Sequence, residues 1–136
     1  MKRIILGALL LALACSAPAQ PSPETPSPIP QAPAGREADR AAIQRLEQEA
    51  RALASLSGCA ESGQCRAMPV GAKACGGPRY YLPYCPLTTN AAALQRKLEE
   101  VRNAEQQFNQ KYGVISDCSF VSEPALTSAA GACQAR

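Results

Sequence analysis

The seven cysteines are the residues of this chain whose chemistry is easiest to anticipate. Six of them lie between positions 59 and 133, in the spacing C-x5-C-x9-C-x9-C-x32-C-x14-C: Cys59, Cys65, Cys75, Cys85, Cys118 and Cys133. There is no C-x2-C pair and no histidine, so zinc-finger and thioredoxin-like motifs are absent. In an exported chain this pattern predicts three structural disulfides, with no metal and no cofactor. Metal binding by thiolates and redox chemistry are the alternatives.

The pairing of the six cysteines is a separate hypothesis, because many connectivities are open and spacing does not choose among them. A bond between Cys118 and Cys133 would staple the tail of the chain. A bond between Cys59 and Cys85 would join the end of a first helix to the approach to a second. Cys65 and Cys75 would then form the third pair.

The seventh cysteine, Cys15, follows a stretch with the features of an export leader. Two basic residues precede an apolar run from Ile4 to Ala14, which is too short to cross a bilayer as a helix. The leader resembles a bacterial lipoprotein signal, in which the cysteine becomes the first residue and carries acyl chains such as palmitate. The odd number of cysteines favours lipid attachment at Cys15. Cleavage after Ala14 or Ala19 without lipid, giving a soluble periplasmic or secreted protein, is the alternative.

Composition divides the chain into three parts. Residues 1–14 are predicted to be the signal peptide and residues 15–35 a lipid-anchored linker, with seven prolines between Pro18 and Pro33. Such a segment favours an extended polyproline II spacer over a packed core. Residues 36–136 are predicted to form one small domain. Ser16 resembles the residue that sorts lipoproteins to the outer membrane, so we expect the domain to face the periplasm from that membrane.

Charge and residue types exclude several functions. Removal of the leader leaves 12 basic and 11 acidic side chains, a balance that argues against a nucleic-acid partner. The absence of histidine excludes the usual Ser-His and Cys-His catalytic pairs. Glu99 and Glu100 are neighbours on a predicted helix and point in different directions, so they do not make a catalytic carboxylate pair. We expect no enzyme activity.

Two helices should position the cysteines. The first is predicted over Arg36 to Leu56, with Gly58 placed to end it. The second begins with Thr89 or Asn90 as its cap and ends at Gly113. Each has apolar residues at spacings of three and four that define one face: Ile43, Leu46, Ala50 and Leu53 in the first; Leu94, Leu98, Val101, Phe108 and Tyr112 in the second. The helices are expected to pack on each other, with a coiled-coil dimer as the alternative.

The remaining segments favour short extended structure. The range Tyr80 to Tyr84 is predicted to be extended within the Cys-rich loop between the helices. Val114 to Val121 has the composition of a strand, and Leu126 to Cys133 is predicted to return beside it with the help of Gly131. The predicted fold is therefore a small disulfide-stapled α+β domain, with two packed helices, a Cys-rich loop between them and a short β-hairpin tail.

Several of these residues together resemble a known family. They are Pro69-Val-Gly-Ala-Lys-Ala-Cys75-Gly-Gly-Pro with the tyrosine pair that follows, Ser116-Asp117-Cys118 and Gly131-Ala-Cys133. The pattern is similar to that of small cysteine-rich exported bacterial proteins usually labelled lipoproteins, whose function is unassigned. The resemblance implies a stapled fold and an envelope location but no chemistry. Members often have a cysteine near Ser128 and a serine in place of Cys85, so it does not supply the pairing.

Two functions agree with these features. The first is a tethered binding module of the cell envelope, anchored to the membrane at Cys15. It would recognise an envelope protein through a surface formed by Tyr80, Tyr81 and Tyr84, although the same rings would also serve to cover the domain's own core. The second is a protease inhibitor that presents Lys73 in a loop closed by Cys65 and Cys75.

Overall fold

The computed structural model describes residues 33–136 and places two long helices and two β-hairpins along them. The predictions for the leader, for Cys15 and for the linker up to residue 32 lie outside the described residues. The elements in chain order are α1 (Pro33–Leu53), a short 3-10 helix (Ser62–Gln64), β1 (Arg66–Val70), β2 (Tyr80–Tyr84), α2 (Ala91–Tyr112), β3 (Leu126–Ala129) and β4 (Ala132–Ala135). The predicted α+β class, with packed helices, disulfides and a hairpin tail, is confirmed.

Helix α1 lies three residues nearer the N-terminus than predicted at both of its ends. It begins at Pro33, because proline at the first helical position has the right φ and lacks only an N–H that would be unpaired there. It ends at Leu53, because the backbone beyond it is used in tertiary hydrogen bonds. The Cys85 N–H donates to the carbonyl of Ser55 at 2.7 Å, and the Cys133 N–H donates to that of Leu56 at 2.8 Å.

Helix α2 has the predicted boundaries. The side chain of Asn90 accepts a hydrogen bond from the Ala93 N–H at 3.0 Å and caps the first turn. Gly113 adopts a left-handed conformation, with φ of 56°, and ends the helix. Helices α1 and α2 are antiparallel, since Lys111 and Tyr112 at the end of α2 both contact Asp39 near the start of α1.

The Cys-rich segment forms a hairpin that the sequence analysis predicted only in part. Strand β2 spans the predicted range, and it pairs antiparallel with β1, whose Val70 lies opposite Tyr80. Because successive side chains of a strand point to opposite faces, one face of the hairpin is directed toward the helices. The core contains Val70, Leu82 and Tyr84 from this face, together with residues from both helices: Ala50, Leu94, Leu98 and Val101. Leu53, predicted for the α1 core face, is exposed at the helix end.

The tail hairpin is displaced from its predicted position. Residues 114–121 contain no strand. Instead β3 pairs with β4, and the two-residue turn between them places Ala130 and Gly131 at φ of 50° and 76°. In a two-residue hairpin turn of this geometry both central residues have positive φ, which glycine adopts without strain. This explains the position of Gly131. The hairpin contacts the 3-10 helix, where the Ser128 N–H donates to Ser62 Oγ at 3.0 Å.

Three disulfides join these elements, and one of the three predicted pairs is confirmed. Cys59 bonds to Cys85 as predicted, whereas Cys65 bonds to Cys133 and Cys75 to Cys118. The predicted Cys118–Cys133 and Cys65–Cys75 pairs are wrong. The tail hairpin packs on the 3-10 helix and brings Cys133 to Cys65, while residues 114–121 cross the β1–β2 loop and bring Cys118 to Cys75.

Candidate functional site

The three tyrosines proposed as a binding surface lie on two different faces of β2. Tyr84 is buried in the core, and Tyr80 packs against that core. Tyr81 lies on the opposite face of the hairpin, across from Pro69. A single contact surface made of all three rings is therefore excluded, because period-two alternation separates Tyr81 from the others. Tyr80 and Tyr84 cover the domain's own core.

The loop proposed for a protease inhibitor is built differently from the prediction. Cys65 and Cys75 are bonded to other partners, so no disulfide closes the loop between them. The side chain of Lys73 is only 10% exposed. Its Nζ lies 2.6 Å from Asp117 Oδ1 and donates to the carbonyl oxygen of Ser119 at 2.8 Å. Lys73 is thus held inside the domain and is not presented to a protease pocket.

The polar residues that the structure does bring together lie in a groove between α1 and α2. Arg79, which follows the Gly76-Gly77-Pro78 turn, reaches between the helices to carboxylates on both. Its Nε is 2.7 Å from Glu105 Oε1, and its terminal nitrogen is 2.5 Å from Glu47 Oε2. The interhelical connection is therefore a carboxylate–arginine–carboxylate bridge rather than apolar packing alone.

Each carboxylate of this bridge has further partners. Glu105 is buried and accepts a hydrogen bond from the Ala72 N–H at 2.5 Å. Glu47 accepts one from the Tyr80 hydroxyl at 2.6 Å and one from the Arg51 guanidinium at 3.0 Å. Within the described part of the chain, every buried side-chain nitrogen and oxygen has a hydrogen-bond partner. The network is fully satisfied, which is the condition for a polar cluster to stabilise a fold.

The environment moves the pKa values of these groups in different directions. Burial favours a higher pKa for Glu47, but hydrogen bonds from Tyr80, Arg79 and Arg51 outweigh it and lower the pKa to about 2. For Glu105 burial dominates and raises the pKa, against the N–H of Ala72 and the charge of Arg79. Burial and the bond to Glu47 raise the pKa of Tyr80 to about 12. Glu47 is therefore a firmly ionised acceptor.

The groove opens to solvent beside this network. We call it the interhelical groove; it has a volume of about 640 Å³, and its exposed rim is formed by α1 residues: Arg40, Gln44, Gln48 and Arg51. Phe108 from α2 supplies an aromatic wall, and the Arg40 guanidinium lies 5.8 Å from the centre of that ring. Polar rim side chains around an aromatic surface are common features of ligand and partner sites.

The charge of the interhelical groove is positive. Three arginines line it, Arg40, Arg51 and Arg79, against two glutamates. Arg79 and Arg51 are paired with the glutamates, whereas Arg40 makes no ion pair within residues 33–136. Its guanidinium therefore presents hydrogen-bond donors that a carboxylate could accept in a bidentate manner.

A second cavity, of about 540 Å³, lies on the other side of the β1–β2 loop. Its apolar surface comes from Met68, Pro69 and Leu98. Its polar lining comes from Lys73 of the loop and from exposed side chains of α2: Gln95, Glu99, Arg102 and Gln106. The interhelical groove is lined by side chains of α1, α2 and the hairpin loop, whereas the second cavity has none from α1. We therefore take the interhelical groove as the stronger candidate site.

Four cysteines, Cys59, Cys65, Cys85 and Cys133, form a buried sulfur cluster rather than a metal site. The sulfurs of Cys59, Cys65 and Cys133 lie within 4.8 Å of one another. All three are bonded in disulfides with each other or with Cys85. Metal binding requires deprotonated thiolates, which oxidised sulfurs do not provide.

Sequence reasoning did not place Glu47, Arg79 and Glu105 in one site, although the position of Glu105 gave a signal. Glu105 falls four residues after Val101, on the predicted apolar stripe of α2, where a charge requires a partner. The sequence could not identify Arg79 as the partner of Glu105 or of Glu47, because their contacts depend on the path of the β1–β2 loop.

No helix among residues 33–136 combines the length and apolar character needed to cross a membrane. No protein-family model matches the chain, and neither a curated protein nor a solved structure shows significant similarity to it.

Proposed function

We propose that this protein is a lipid-anchored binding module of the bacterial cell envelope, without catalytic activity, and that its binding site is the interhelical groove. The observation that carries the proposal is the presentation of the Arg40 guanidinium beside the aromatic wall of Phe108, next to a hydrogen-bonded charge network in which every buried group is paired. This replaces the tyrosine surface as the candidate site. The leader, Cys15 and the proline-rich segment support the envelope location.

The chemistry of the groove favours an acidic segment of an envelope protein as its ligand. Arginine binds carboxylates bidentately and stacks on aromatic rings. The groove offers such an arginine, Arg40, beside the ring of Phe108. The rim residues of α1 are exposed along three turns, from Arg40 to Arg51, so the groove suits a protein segment lying across it better than an enclosed small molecule.

The proposed absence of catalysis is supported by the contacts of the two carboxylates within the domain. Both oxygens of Glu105 accept hydrogen bonds, one from the Ala72 N–H and one from Arg79. Glu47 is surrounded by donors from three side chains. Both carboxylates are thus engaged in contacts within the domain, which favours a structural role over proton transfer to a substrate.

Site-specific cross-linking in intact cells tests the binding site. A photo-reactive amino acid at Gln48, on the groove rim, should give a discrete protein adduct, and the same residue at Gln134, exposed on β4, should give none. Arg40→Glu should abolish the Gln48 adduct because it reverses the charge that the ligand meets. Equal labelling from both positions, or an adduct indifferent to Arg40→Glu, would reject the groove as the site.

Intact mass tests the anchor separately. Protein from the membrane fraction should begin at Cys15 and carry the mass of a diacylglyceryl lipid, with six cysteines alkylated only after reduction. A lipid-free chain would leave a soluble periplasmic or secreted binding module and would exclude the anchored one.

A further inference from the structure

Two large apolar side chains of the described domain are almost completely exposed to solvent. Ile115 is 93% exposed and Phe120 is 90% exposed, well above Leu87 at 66%. Both lie in residues 114–121, which we call the stapled loop. They are the two residues of the described domain with the most apolar surface to gain by contact with a partner or a lipid phase.

The structure holds the stapled loop in place from both sides. Cys118 is bonded to Cys75, and the Cys75 N–H donates to Ser116 Oγ at 3.2 Å. Lys73 binds Asp117 and Ser119, as described above. Ile115 and Phe120 are therefore exposed on a segment that is held in place. A contact with a partner would cost less conformational entropy than it would from a mobile loop.

The position of the loop indicates what it would meet. Ile115 follows the end of α2 by three residues, and the end of α2 lies beside the start of α1, where Lys111 Nζ is 2.7 Å from Asp39 Oδ2. Helix α1 begins at Pro33, so the segment that connects it to Cys15 joins the domain at this same end. A lipid at Cys15 would therefore make the end that carries Ile115 the end joined to the tether.

Basic side chains accompany the apolar ones at this end. Arg36 and Lys111 are exposed there, and Arg36 lies 5.5 Å from the centre of the Tyr112 ring. The acidic residues Glu37 and Asp39 lie at the same end of α1 and reduce its net positive charge. Asp39 is paired with Lys111. Cations and an aromatic ring at the same end of a domain as an exposed apolar side chain are a combination found at membrane interfaces.

We propose that the stapled loop docks on the lipid surface to which the chain is anchored, with Ile115 and Phe120 entering the interface and Arg36 beside the headgroups. The inference rests on the proposed anchor at Cys15. Two side chains give only weak membrane affinity alone, but the tether from Cys15 to Pro33 confines the domain to within about 55 Å of the bilayer and makes their contact effectively intramolecular. Docking would fix one end of the domain against the bilayer.

Tryptophan fluorescence tests the contact without background, because the chain contains no tryptophan. The full protein with Phe120→Trp is purified from membranes and reconstituted into vesicles of phosphatidylethanolamine and phosphatidylglycerol, with and without brominated acyl chains. The emission should shift to the blue, and the brominated lipid should quench it. A matched protein with Leu87→Trp, whose reporter precedes the start of α2 at the opposite end, should show neither change.

The variant Ile115→Ser separates docking from anchoring. Ile115 is too exposed to contribute to the core, so the variant should fold and still float with the vesicles, while the quenching at position 120 is lost. Flotation with equal quenching at positions 120 and 87 overturns the docking inference and leaves the anchor intact. Failure to float overturns both. A blue shift that appears in detergent and grows with protein concentration indicates a second copy as the partner and also overturns docking.

Discussion

Arg79 and Glu105 are joined by a 2.7 Å contact between Nε and Oε1, although one residue follows a glycine-rich turn and the other lies in the third quarter of a helix. The same arginine reaches Glu47 on the other helix. The hairpin loop therefore connects α1 to α2 through one side chain. The stability of the helical pair should depend on that side chain more than its partial exposure suggests.

Replacement of Arg79 by methionine should destabilise the domain by about 2 kcal/mol, because Glu105 would stay buried without its cation. The side chain of Arg79 is 37% exposed, so solvent will offset part of the loss. Urea unfolding monitored by circular dichroism measures the change. Arg96→Met, at an exposed position of α2, is the control and should change stability little. Equal stability of the two variants would show that the bridge is dispensable.

Gly71 is required by the close approach of the loop to Glu105. An alanine Cβ at this position would collide with Glu105 Oε2 and lie 2.8 Å from Arg79 Nε. Gly76 also has positive φ, but a Cβ there meets nothing within 4 Å. Gly76→Ala should cost about 1 kcal/mol through backbone strain, and Gly71→Ala on the order of 2 kcal/mol more through disruption of the network. Unfolding free energies of the two variants provide the comparison, and similar losses would contradict it.

The pH dependence of stability should contain a contribution from Glu47. Its pKa falls from 4.5 to about 2 on folding, so its stabilisation is present above about pH 4.5 and disappears as the pH falls toward 2. Glu47→Gln should reduce stability at neutral pH by on the order of 2 kcal/mol and converge with the wild type near pH 2. Glu123→Gln, at an exposed site, serves as the control. A constant difference between wild type and Glu47→Gln at every pH would refute the assignment.

The three disulfides should differ in their accessibility to reductant. Cys75 and Cys118 are exposed, whereas the other four cysteines are buried. Mild reduction under native conditions, followed by alkylation and peptide mass spectrometry, should label Cys75 and Cys118 first while the far-ultraviolet spectrum is retained. Reduction of Cys65–Cys133, which spans 68 residues, should unfold the domain, since such a crosslink contributes roughly 4 kcal/mol in the chain-entropy model. Early labelling of Cys133 would disprove this order.

The cap of α2 offers a local test of helix stability. Asn90→Ala removes the acceptor for the Ala93 N–H and should cost about 1 kcal/mol. Asn103→Ala, at an exposed position inside the same helix, should have no such cost, because alanine is the better helix former there. Thermal unfolding of both variants distinguishes a capping role from a general preference for asparagine.

Sequence reasoning succeeded where local physics decides the structure. The caps Asn90 and Gly113, the extended range of β2 and the bond between Cys59 and Cys85 follow from turn chemistry, alternation or the closeness of helix ends. The apolar periodicity of both helices identified the helical residues of the main core: Ala50, Leu94, Leu98 and Val101.

The failures lie where distant segments meet. The partners of Cys65 and Cys75 depend on how the tail crosses the β1–β2 loop, which no local pattern encodes. Residues 114–121 have strand composition but find no partner strand, and their place is set by Cys118 and by Lys73. The role of Gly58 was also misassigned: it does not end a helix, and instead allows Thr88 to approach the backbone closely.

The order of the disulfides has a consequence for how the protein is made. No native bond joins cysteines that are neighbours in the sequence: Cys59 pairs with the fourth of the six, Cys65 with the sixth and Cys75 with the fifth. An oxidase acting on cysteines as they emerge from a translocon would first join Cys59 to Cys65, which is a wrong pair. If oxidation follows that order, the native pairs would require a thiol–disulfide isomerase, or oxidation delayed until the chain has collapsed. The crowding of sulfurs around Cys59, Cys65 and Cys133 would assist such exchange in the last step.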